Sequence, residues 1–451
     1  MLAAASLGTG LAFLDQTVVN VALPTLGEDL GASTSELQWV VNAYLVTLAA
    51  LVLAGGALGD RLGRRRVFVA GTVWFAVASL ACALAPTPVT LIVARAVQGI
   101  GAALLVPGSL SLIQASFRPA DRSAAIGWWT GLGGIAMVIG PLAGGGLIEL
   151  VSWRWIFAVN LPLAAAVVWI ALRHVPESRD TDVRADLRGL DSGGALLSVL
   201  TLGGATYALI ETGTALALPA AVLGVLALVG FVVVERRVRH PLVPVELFVD
   251  RTFAVANGLT LLVYGALGGL MFFLVLQLQT TTGWTAVEAG LATVPITGMM
   301  LAGAGASGAY AAAHGPRLQL AVGPLLAAAG TWMLAGVGQD TGYLTGVLPG
   351  VLVFGAGLVA LVPPLTSSVL AAAPDEHAGS ASGVNNALAR TGSLLAVAAL
   401  PSLVGLTGGD YADPAALTDG YRSALHASAA VLAGGGLLAW LGLPKQIDLT
   451  S

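Results

Sequence analysis

Apolar runs of about 20 residues recur along the whole chain, and they constrain the fold more than any other feature of the sequence. Each run can cross a hydrocarbon core of about 30 Å as a helix. Helices are the expected spanning form, because lipid offers the backbone no hydrogen bonds and the runs lack the alternation of barrel strands. Charged residues make up only 10% of the chain, against about 25% in globular proteins. The sequence therefore predicts an all-α integral membrane protein.

The runs predict fourteen transmembrane spans. We place them at residues 2–24, 37–58, 67–85, 89–114, 126–149, 155–172, 191–211, 215–234, 253–279, 288–311, 318–338, 344–370, 384–406 and 423–443.

The basic residues predict the orientation of these spans. Sixteen Arg and Lys residues fall in the even-numbered loops and at the C-terminus, whereas the opposite side carries only Arg154 and Arg422. Cytoplasmic loops are enriched in basic residues, so we expect both termini in the cytoplasm. No basic patch suggests binding to nucleic acid, and the single cysteine, Cys82, excludes an intrachain disulfide.

An internal repeat relates the two halves of the chain. Residues 98–107 align with residues 354–363 at an offset of 256, with both glycines, a valine and the proline in common. A second match relates Gly56 and Gly63 to Gly308 and Gly315 at an offset of 252. The matches relate spans 2 and 4 to spans 10 and 12, so the numbers of matched spans differ by eight. We therefore expect a six-helix unit to occur twice, with two further helices between the copies.

The repeat predicts a domain organisation in which parallel halves form a transporter, with a substrate site between them near the membrane midplane. The predicted segments are an N-terminal six-helix bundle (1–172), a cytoplasmic linker (173–190), two accessory transmembrane helices (191–234), a second cytoplasmic linker (235–252) and a C-terminal six-helix bundle (253–451).

Asp15 is an ionisable residue in the first apolar run. A charge near the membrane centre costs at least ~2.5 kcal/mol, so such a residue is a functional candidate that needs a partner. Asp15 is expected about 20 Å from the inner edge of span 1, and Arg95 about 9 Å below the outer edge of span 4. The two depths agree. The pair is either a proton-coupling site or a static ion pair that fixes helix packing.

Other carboxylates fit a coupling role less well, because they lie near helix ends. Asp60 is at the cytoplasmic rim, and Glu149, Glu211 and Glu288 are near outer ends. The expected environment of Glu211, on an accessory helix, is a solvated helix end.

Two Gly-rich segments are expected to control helix contacts. The short loop after span 2 contains Gly56, Asp60, Arg61, Gly63 and Arg64, in which the glycines permit a tight turn and Asp60 can face a helix N-terminus or the nearby arginines. The fifth span contains Gly140, Pro141, Gly144 and Gly145, in which proline permits a kink and the glycines permit close approach of another helix. Simple tight packing is the alternative for the second segment.

Polar residues at helical spacing are candidates for a substrate cavity, although such residues more often form helix-to-helix hydrogen bonds in membranes. The candidates are Gln16, Asn20, Gln38, Trp39, Asn42, Asn257, Tyr264, Asn386 and Arg390. A mostly apolar cavity with few polar anchors suits amphiphilic compounds better than sugars.

The motifs together resemble those of the major facilitator superfamily. The loop at residues 56–66 is similar to its signature loop, residues 91–101 to the fourth-helix motif of proton-coupled members, and residues 136–145 to the antiporter motif of helix 5, although Ala136 replaces the usual glycine. With the fourteen spans, residues 14–24 and residues 153–162, the chain resembles the fourteen-spanner drug:proton antiporters. This resemblance implies that the loop latches the halves together and that helix 5 has a conformational role.

The expected function is therefore proton-coupled efflux of hydrophobic or amphiphilic drugs or antibiotics by alternating access. The alternatives are a narrower exporter of an endogenous antibiotic, lipid or metabolite, a proton-coupled uptake symporter and a non-transporting membrane sensor. We expect a monomer in the bacterial cytoplasmic membrane, whose partners are the lipid bilayer, a small amphiphilic substrate and protons. No enzyme activity, metal or cofactor is expected, since the sequence shows neither a nucleophile-base pair nor a nucleotide-binding loop.

Overall fold

A computed structural model describes residues 1–117, 129, 132, 139, 140, 142–178, 191–238, 241–374, 377–406, 410 and 413–444. Throughout these residues the regular secondary structure is helical, and no strand is present. They include eleven helices that are long and apolar enough to cross a membrane. The predicted all-α membrane class is thus confirmed.

Two compact units make up the chain, Met1–Val243 and Pro244–Ser451. The helices of the first unit are α1 (Leu2–Leu30), α2 (Thr34–Leu62), α3 (Arg64–Ala83), α4 (Pro88–Ser116), α5 (142–150), α6 (Trp155–Ala158 and Asn160–His174), α7 (Ser192–Ile210) and α8 (Ala217–Glu235). Most of the predicted fifth span, residues 126–149, lies outside the described residues.

The second unit contains six helices after a short 3-10 turn at Val245–Val249. They are α9 (Arg251–Thr280), α10 (Ala286–Ala292 and Val294–His314), α11 (Arg317–Leu334), α12 (Tyr343–Val347 and Leu348–Ala371), α13 (Ala378–Leu403) and α14 (Pro414–Gly442).

Several helices are longer than the apolar runs that predicted them. Helix α1 passes Pro24, where the sequence suggested an end, and stops at Leu30 before Gly31, which has a left-handed backbone with φ of 61°. Helix α14 starts at Pro414, nine residues before the predicted start at residue 423, because the Asp413 side chain caps it through the Ala415 N–H. Polar turns can extend a membrane helix beyond its apolar part, so hydropathy marks the span and not the helix end.

The same helix pairs pack together in both units. Helix α4 contacts α1, α2 and α3, and α6 contacts α1 and α3. In the second unit α12 contacts α9, α10 and α11, and α14 contacts α9 and α11. Each helix of the second unit has a number that is higher by eight than its counterpart in the first unit, as the sequence repeat predicts.

One glycine contact shows that the repeat extends to individual atoms. A Cβ on Gly101 would lie 2.7 Å from the Phe75 backbone nitrogen, and a Cβ on Gly357 would meet the Ala327 backbone nitrogen. These pairs are related by the same offsets, 256 and 252, that align the sequences. Glycine permits the close approach of α3 to α4 and of α11 to α12, because any side chain would enter the facing backbone.

The accessory helices α7 and α8 belong to the first unit. They pack on each other, and α7 also packs against α2. Helix α8 is the most apolar of the candidate spans, with a mean hydropathy of 2.7, and only 11% of its most apolar window is buried inside the protein. An apolar, exposed helix of this kind fits a lipid-facing position.

Candidate functional site

Asp15 and Arg95 form a direct ion pair between α1 and α4. The Arg95 Nη1 donates to Asp15 Oδ2 at 2.5 Å, and each side chain is only 1% exposed. The juxtaposition inferred from the two depths is therefore present. Because removing either charge from a buried pair leaves the other uncompensated, the two side chains constrain each other strongly.

Neutral polar side chains complete the surroundings of Asp15. Its second oxygen, Oδ1, accepts from Gln98 Nε2 at 2.8 Å and from Asn160 Nδ2 at 3.0 Å. Both amides also donate to Ser79 Oγ, at 2.8 Å and 3.3 Å. The side chains of Asp15, Ser79, Gln98 and Asn160 are all buried. They lie on α1, α3, α4 and α6, respectively. We call Asp15, Ser79, Arg95, Gln98 and Asn160 the polar cluster.

Arg95 is anchored on the side away from Asp15 as well. Its Nε donates to the Val40 carbonyl at 3.1 Å, and its guanidinium carbon lies 4.3 Å from the centre of the Tyr44 ring. Its Nη1 also donates to Gln98 Oε1 at 2.5 Å. Cation–π contact and hydrogen bonding to α2 therefore hold the guanidinium between α1, α2 and α4.

The donors around Asp15 suit an ionised carboxylate. Arg95, Gln98 and Asn160 all donate to it, and an ionised carboxyl can only accept. A proton on Oδ2 would face the Arg95 N–H, so protonation requires Arg95 or Asp15 to move. The ion pair thus holds α1 and α4 in contact at this level of the bundle.

Helix α5 passes α1 beside the polar cluster. A Cβ on Gly140, two residues before α5, would meet Thr17 Oγ1, and a Cβ on Gly144 in α5 would lie 2.5 Å from Val18 Cγ1. Gly145 is also buried. Pro141 lies outside the described residues. The glycines thus permit close packing of α5 on the turn of α1 that follows Asp15.

The loop between α2 and α3 binds a segment that follows α6. Asp60 accepts from Arg64 Nε at 2.9 Å, while Gly56 is half-buried and Arg61 is buried. Gly63 has a φ of 110°, and a Cβ there would lie 2.6 Å from Glu177 Oε1. Glycine is therefore required at this position both by its backbone and by its neighbour.

Glu177 connects this loop to the end of the first bundle. Its Oε1 accepts from the Arg65 N–H at 3.1 Å, and its Oε2 lies 3.7 Å from Arg65 Nε and 3.6 Å from Arg66 Nε. The Arg64 N–H donates to the Ser178 carbonyl at 2.8 Å. An acidic side chain at the N-terminus of α3 satisfies a free N–H and interacts favourably with the helix dipole.

Removing the Glu177 carboxylate is expected to loosen this contact locally. We expect Glu177→Ala to cost about 1 kcal/mol and to speed amide exchange at residues 63–66 and 175–178. Hydrogen–deuterium exchange with peptide mass spectrometry measures this change. Glu28→Ala, which removes an exposed acid from α1, is the matched control and should leave both peptides unchanged. Equal exchange in the Glu177 variant and the wild type would contradict the assignment.

The substrate candidates of the first unit fall into different environments. Trp39 packs against α7, where its Nε1 donates to Glu211 Oε1 at 3.1 Å and its ring lies 6.1 Å from that of Tyr207. Asn42 is fully buried, and its side-chain nitrogen and oxygen have no hydrogen-bond partner among the described residues. Gln38 is buried as well, whereas Gln16 and Asn20 are half-buried.

Glu211 and Glu288 have structural partners. Glu211 also accepts from Ser35 Oγ at 2.5 Å, so it joins α7 to α2, and the expected solvated helix end was wrong. Glu288 accepts from the Thr285 N–H at 2.9 Å and completes a capping box at the start of α10.

In the second unit the candidates divide similarly. Asn257 is buried, and its Oδ1 accepts from Asn385 Nδ2 at 3.2 Å, which fits a helix-to-helix hydrogen bond between α9 and α13. Tyr264 and Arg390 lie close enough for electrostatic interaction. Asn386, like these two residues, is half-buried.

Sequence reasoning missed several partners of the candidate site. No sequence motif contains Ser79, and Gln98 and Asn160 fall within motifs that did not mark them as partners of Asp15. Gln98 lies three residues after Arg95, so the helical period already placed both side chains on one face of α4. Neutral polar residues inside apolar spans follow the same rule as Asp15, because each needs a hydrogen-bond partner in lipid. No metal-binding group of three or more His, Cys, Asp or Glu residues occurs in the described part of the chain.

The polar cluster has no counterpart at the repeated positions of α12. The offset of 256 relates Arg95 to Val351 and Gln98 to Phe354, which are 0% and 1% exposed. The second unit thus forms the same helix packing with apolar side chains. Charge at this position is not needed for the packing itself, which favours a functional use of the pair.

A repeated helical membrane fold with charged side chains buried in one repeat defines a polytopic protein of the transporter class. The family model of the Major Facilitator Superfamily matches residues 5–397, so the chain belongs to that superfamily.

Three comparisons illustrate the relationship. The chain is 38% identical to the puromycin resistance protein of Streptomyces alboniger, covering 97% of this chain and 90% of the relative. It is 34% identical to the tetracenomycin C resistance and export protein of Streptomyces glaucescens, covering 91% and 76%. The solved structure of a bacterial homologue of the human drug peptide transporters PepT1 and PepT2 matches with a TM-score of 0.73 at 15% identity, covering 100% of this chain and 99% of that one. This last match shows the shared fold alone.

Proposed function

We propose that this protein is a proton-coupled exporter of hydrophobic or amphiphilic antibiotics, of the fourteen-spanner drug:proton antiporter type. The polar cluster carries the proposal, because it contains the buried carboxylate whose protonation must change a contact between α1 and α4. The names of the two relatives, one for resistance to puromycin and one for resistance to and export of tetracenomycin C, support antibiotics as the substrate class.

In the proposed cycle Asp15 releases its proton when Arg95, Gln98 and Asn160 converge on it. Proton binding from the outer side then separates Asp15 from Arg95, and the change of contact is passed on to α5 through Thr17 and Val18. A ligand can shift the equilibrium between two states only by binding one of them more tightly. Proton and drug would therefore be exchanged because each favours a different state in an alternating-access cycle.

Asn42 is the proposed polar anchor for substrate in the first unit. Its amide is buried without a partner among the described residues, and leaving such a group unpaired costs about 1–3 kcal/mol. A substrate carbonyl or hydroxyl group that bonds to it would recover that cost. Trp39 and Asn257, by contrast, fit the alternative in which their polar atoms join helices.

The remaining features follow from this class. The protein would lie in the bacterial cytoplasmic membrane as a monomer with both termini in the cytoplasm, and it would carry out transport without enzyme chemistry, cofactor or nucleic acid. A narrower exporter of one endogenous antibiotic is the second candidate, since each of the two relatives is named for a single compound.

Proton release from proteoliposomes tests the proposal. The purified protein is reconstituted with a pH-sensitive dye inside the vesicles, a pH gradient is imposed, and a panel that includes puromycin and tetracenomycin C is added. We expect at least one compound to accelerate proton movement, and the number of active compounds separates a multidrug exporter from a narrow one. If no compound moves protons while radiolabelled drug also stays in place, the sensor alternative is supported and the proposal fails.

A further inference from the structure

Asp191 and Glu235 are two buried carboxylates at the joined ends of the accessory helices. Asp191 directly precedes α7 and is 6% exposed, and Glu235 is the last residue of α8 and is 3% exposed. Helix α8 is otherwise apolar and largely exposed, so burial of its one acidic residue is unusual. Acidic side chains are almost never fully buried unless they are paired.

One oxygen of each carboxylate is held by a backbone N–H group. Asp191 Oδ1 accepts from the Gly194 N–H at 2.7 Å and thereby caps α7. Glu235 Oε2 accepts from the Val243 N–H at 2.9 Å, which fixes the segment that leads out of the first unit. The backbone contacts orient both carboxyl groups.

The other two oxygens face the same point. Asp191 Oδ2 and Glu235 Oε1 both lie closer than 3.0 Å to the position that a Cβ on Gly194 would take. Neither atom has a hydrogen-bond partner among the described residues. Two buried carboxylates that face each other cannot both be ionised without strong repulsion. A single proton between them removes the repulsion and satisfies both oxygens.

We propose that Asp191 and Glu235 form a proton-binding site, separate from the polar cluster, in which one proton taken from solvent is shared as an O–H···O bond. With the proton bound, α7, α8 and the segment at Val243 are held together. Loss of the proton places two charges in contact and weakens this junction.

Few charged groups on the elements around the pair compete with this assignment. Helices α7 and α8 carry no other ionisable side chain near the site, and residues 241–244 carry none. On α2, which runs antiparallel to α7, Asp60 is bonded to Arg64 and Arg61 is buried. The other charges nearby in sequence are the exposed Arg236, Arg237 and Glu246, and outside the described residues Arg184, Asp186, Arg188, Arg239 and His240.

Carbodiimide labelling of the purified full-length protein tests the proposal, because dicyclohexylcarbodiimide reacts with protonated carboxyl groups in apolar surroundings. Peptide mass spectrometry measures the modified fraction of Asp191 and Glu235 between about pH 6 and about pH 9. We expect labelling of the pair near neutral pH and a decline at high pH. In Glu235→Gln the new amide donates to Asp191 Oδ2 and stabilises its ionised form, so labelling of Asp191 should fall about tenfold.

Three results would overturn the shared proton. The first is no labelling of either carboxyl group near neutral pH, as expected if an arginine outside the described residues neutralises both. The second is labelling of Asp191 that is the same with and without Glu235. The third is protection from labelling by sodium or potassium chloride but not by choline chloride, which would assign the site to a metal cation.

Thermal unfolding provides a second readout. The folded wild type binds a proton that the unfolded chain does not hold at neutral pH. The contribution of this proton to the free energy of unfolding is therefore present at low pH and is lost as the pH rises. We expect its Tm to fall between about pH 6 and about pH 9 by several degrees more than that of Asp191→Asn or Glu235→Gln. Glu246→Gln, an exposed acid, is the matched control and should follow the wild type. Parallel Tm curves for all four proteins would contradict the proposal.

Discussion

Asp15→Asn is expected to abolish drug-driven proton movement while the protein still inserts into the membrane. The amide has no titratable proton, and its NH2 group presents two N–H donors to surroundings in which Arg95, Gln98 and Asn160 all donate. Coupling free energies of about 1–3 kcal/mol correspond to a 5–150-fold effect of one ligand on the other, so the rate of coupled exchange should fall about tenfold or more. The proteoliposome assay measures that rate, and size-exclusion chromatography in detergent measures the folded fraction.

Asp29→Asn is the control for this experiment. Asp29 lies on the same helix, but its side chain is 49% exposed and accepts from the 39% exposed Arg154 at 2.9 Å. It also accepts from Trp153 Nε1 at 2.7 Å, and the asparagine Oδ1 can still accept that bond. An exposed ion pair contributes about 0–1 kcal/mol, so this variant should transport normally. Normal coupled exchange by folded Asp15→Asn would show that Asp15 only holds helices together, and the proton-coupling assignment would be lost.

The helices were predictable because lipid imposes one simple requirement on every span. In an apolar run such as the one in α8, the backbone N–H and C=O groups must hydrogen-bond to each other, which requires a helix. The length of the helix follows from the membrane thickness. The helix ends were not predictable from hydropathy, because caps such as Asp413 and the continuation of α1 past Pro24 depend on local hydrogen bonds. The packing of repeated helices followed from sequence because Gly101 and Gly357 leave space that only glycine can leave.

The candidate site was only partly predictable for a similar reason. Depth in the membrane placed Asp15 and Arg95 at one level, since helical rise converts sequence distance into height. Depth does not specify rotation about the helix axis, so Ser79 and Asn160 could not be assigned as partners. Glu177 was in a segment classified as a polar linker, and its contact with residues 63–66 depends on a chain path that hydropathy does not describe.

The two repeats provide an internal comparison for the role of charge. In α4 the positions of Arg95 and Gln98 are polar, and in α12 Val351 and Phe354 occupy the same positions with equal burial. A buried ion pair is weak evidence for stability, because well-packed apolar side chains often replace it without loss. The protein thus has polar side chains at these positions in α4 and apolar side chains in α12. Replacing the charged pair by apolar residues can therefore separate its structural contribution from its functional one.

The double variant Asp15→Leu with Arg95→Met makes that separation. The single variant Asp15→Leu leaves the Arg95 guanidinium buried without its carboxylate and should cost about 3–5 kcal/mol, seen as a lower Tm in detergent. The double variant removes both charges and leaves the bonds of Gln98 and Asn160 to Ser79 in place. We expect its stability to return to within about 1 kcal/mol of the wild type, while coupled exchange stays absent.

Asp419→Leu with Arg422→Met is the matched control, because this pair on α14 is 3.8 Å apart and at least half exposed. It should change neither the Tm nor the transport rate measurably. If the double variant of the polar cluster were as unstable as the single one, the Asp15 and Arg95 side chains would stabilise the fold by more than cancelling each other's charge. That result would support the interpretation in which the pair is a static ion pair that fixes helix packing. If it were stable and still exchanged drug for protons, another carboxylate would have to carry the proton. Recovery of folding without recovery of transport assigns the two charges to coupling, because the variant and the wild type then differ only in the charged side chains at residues 15 and 95.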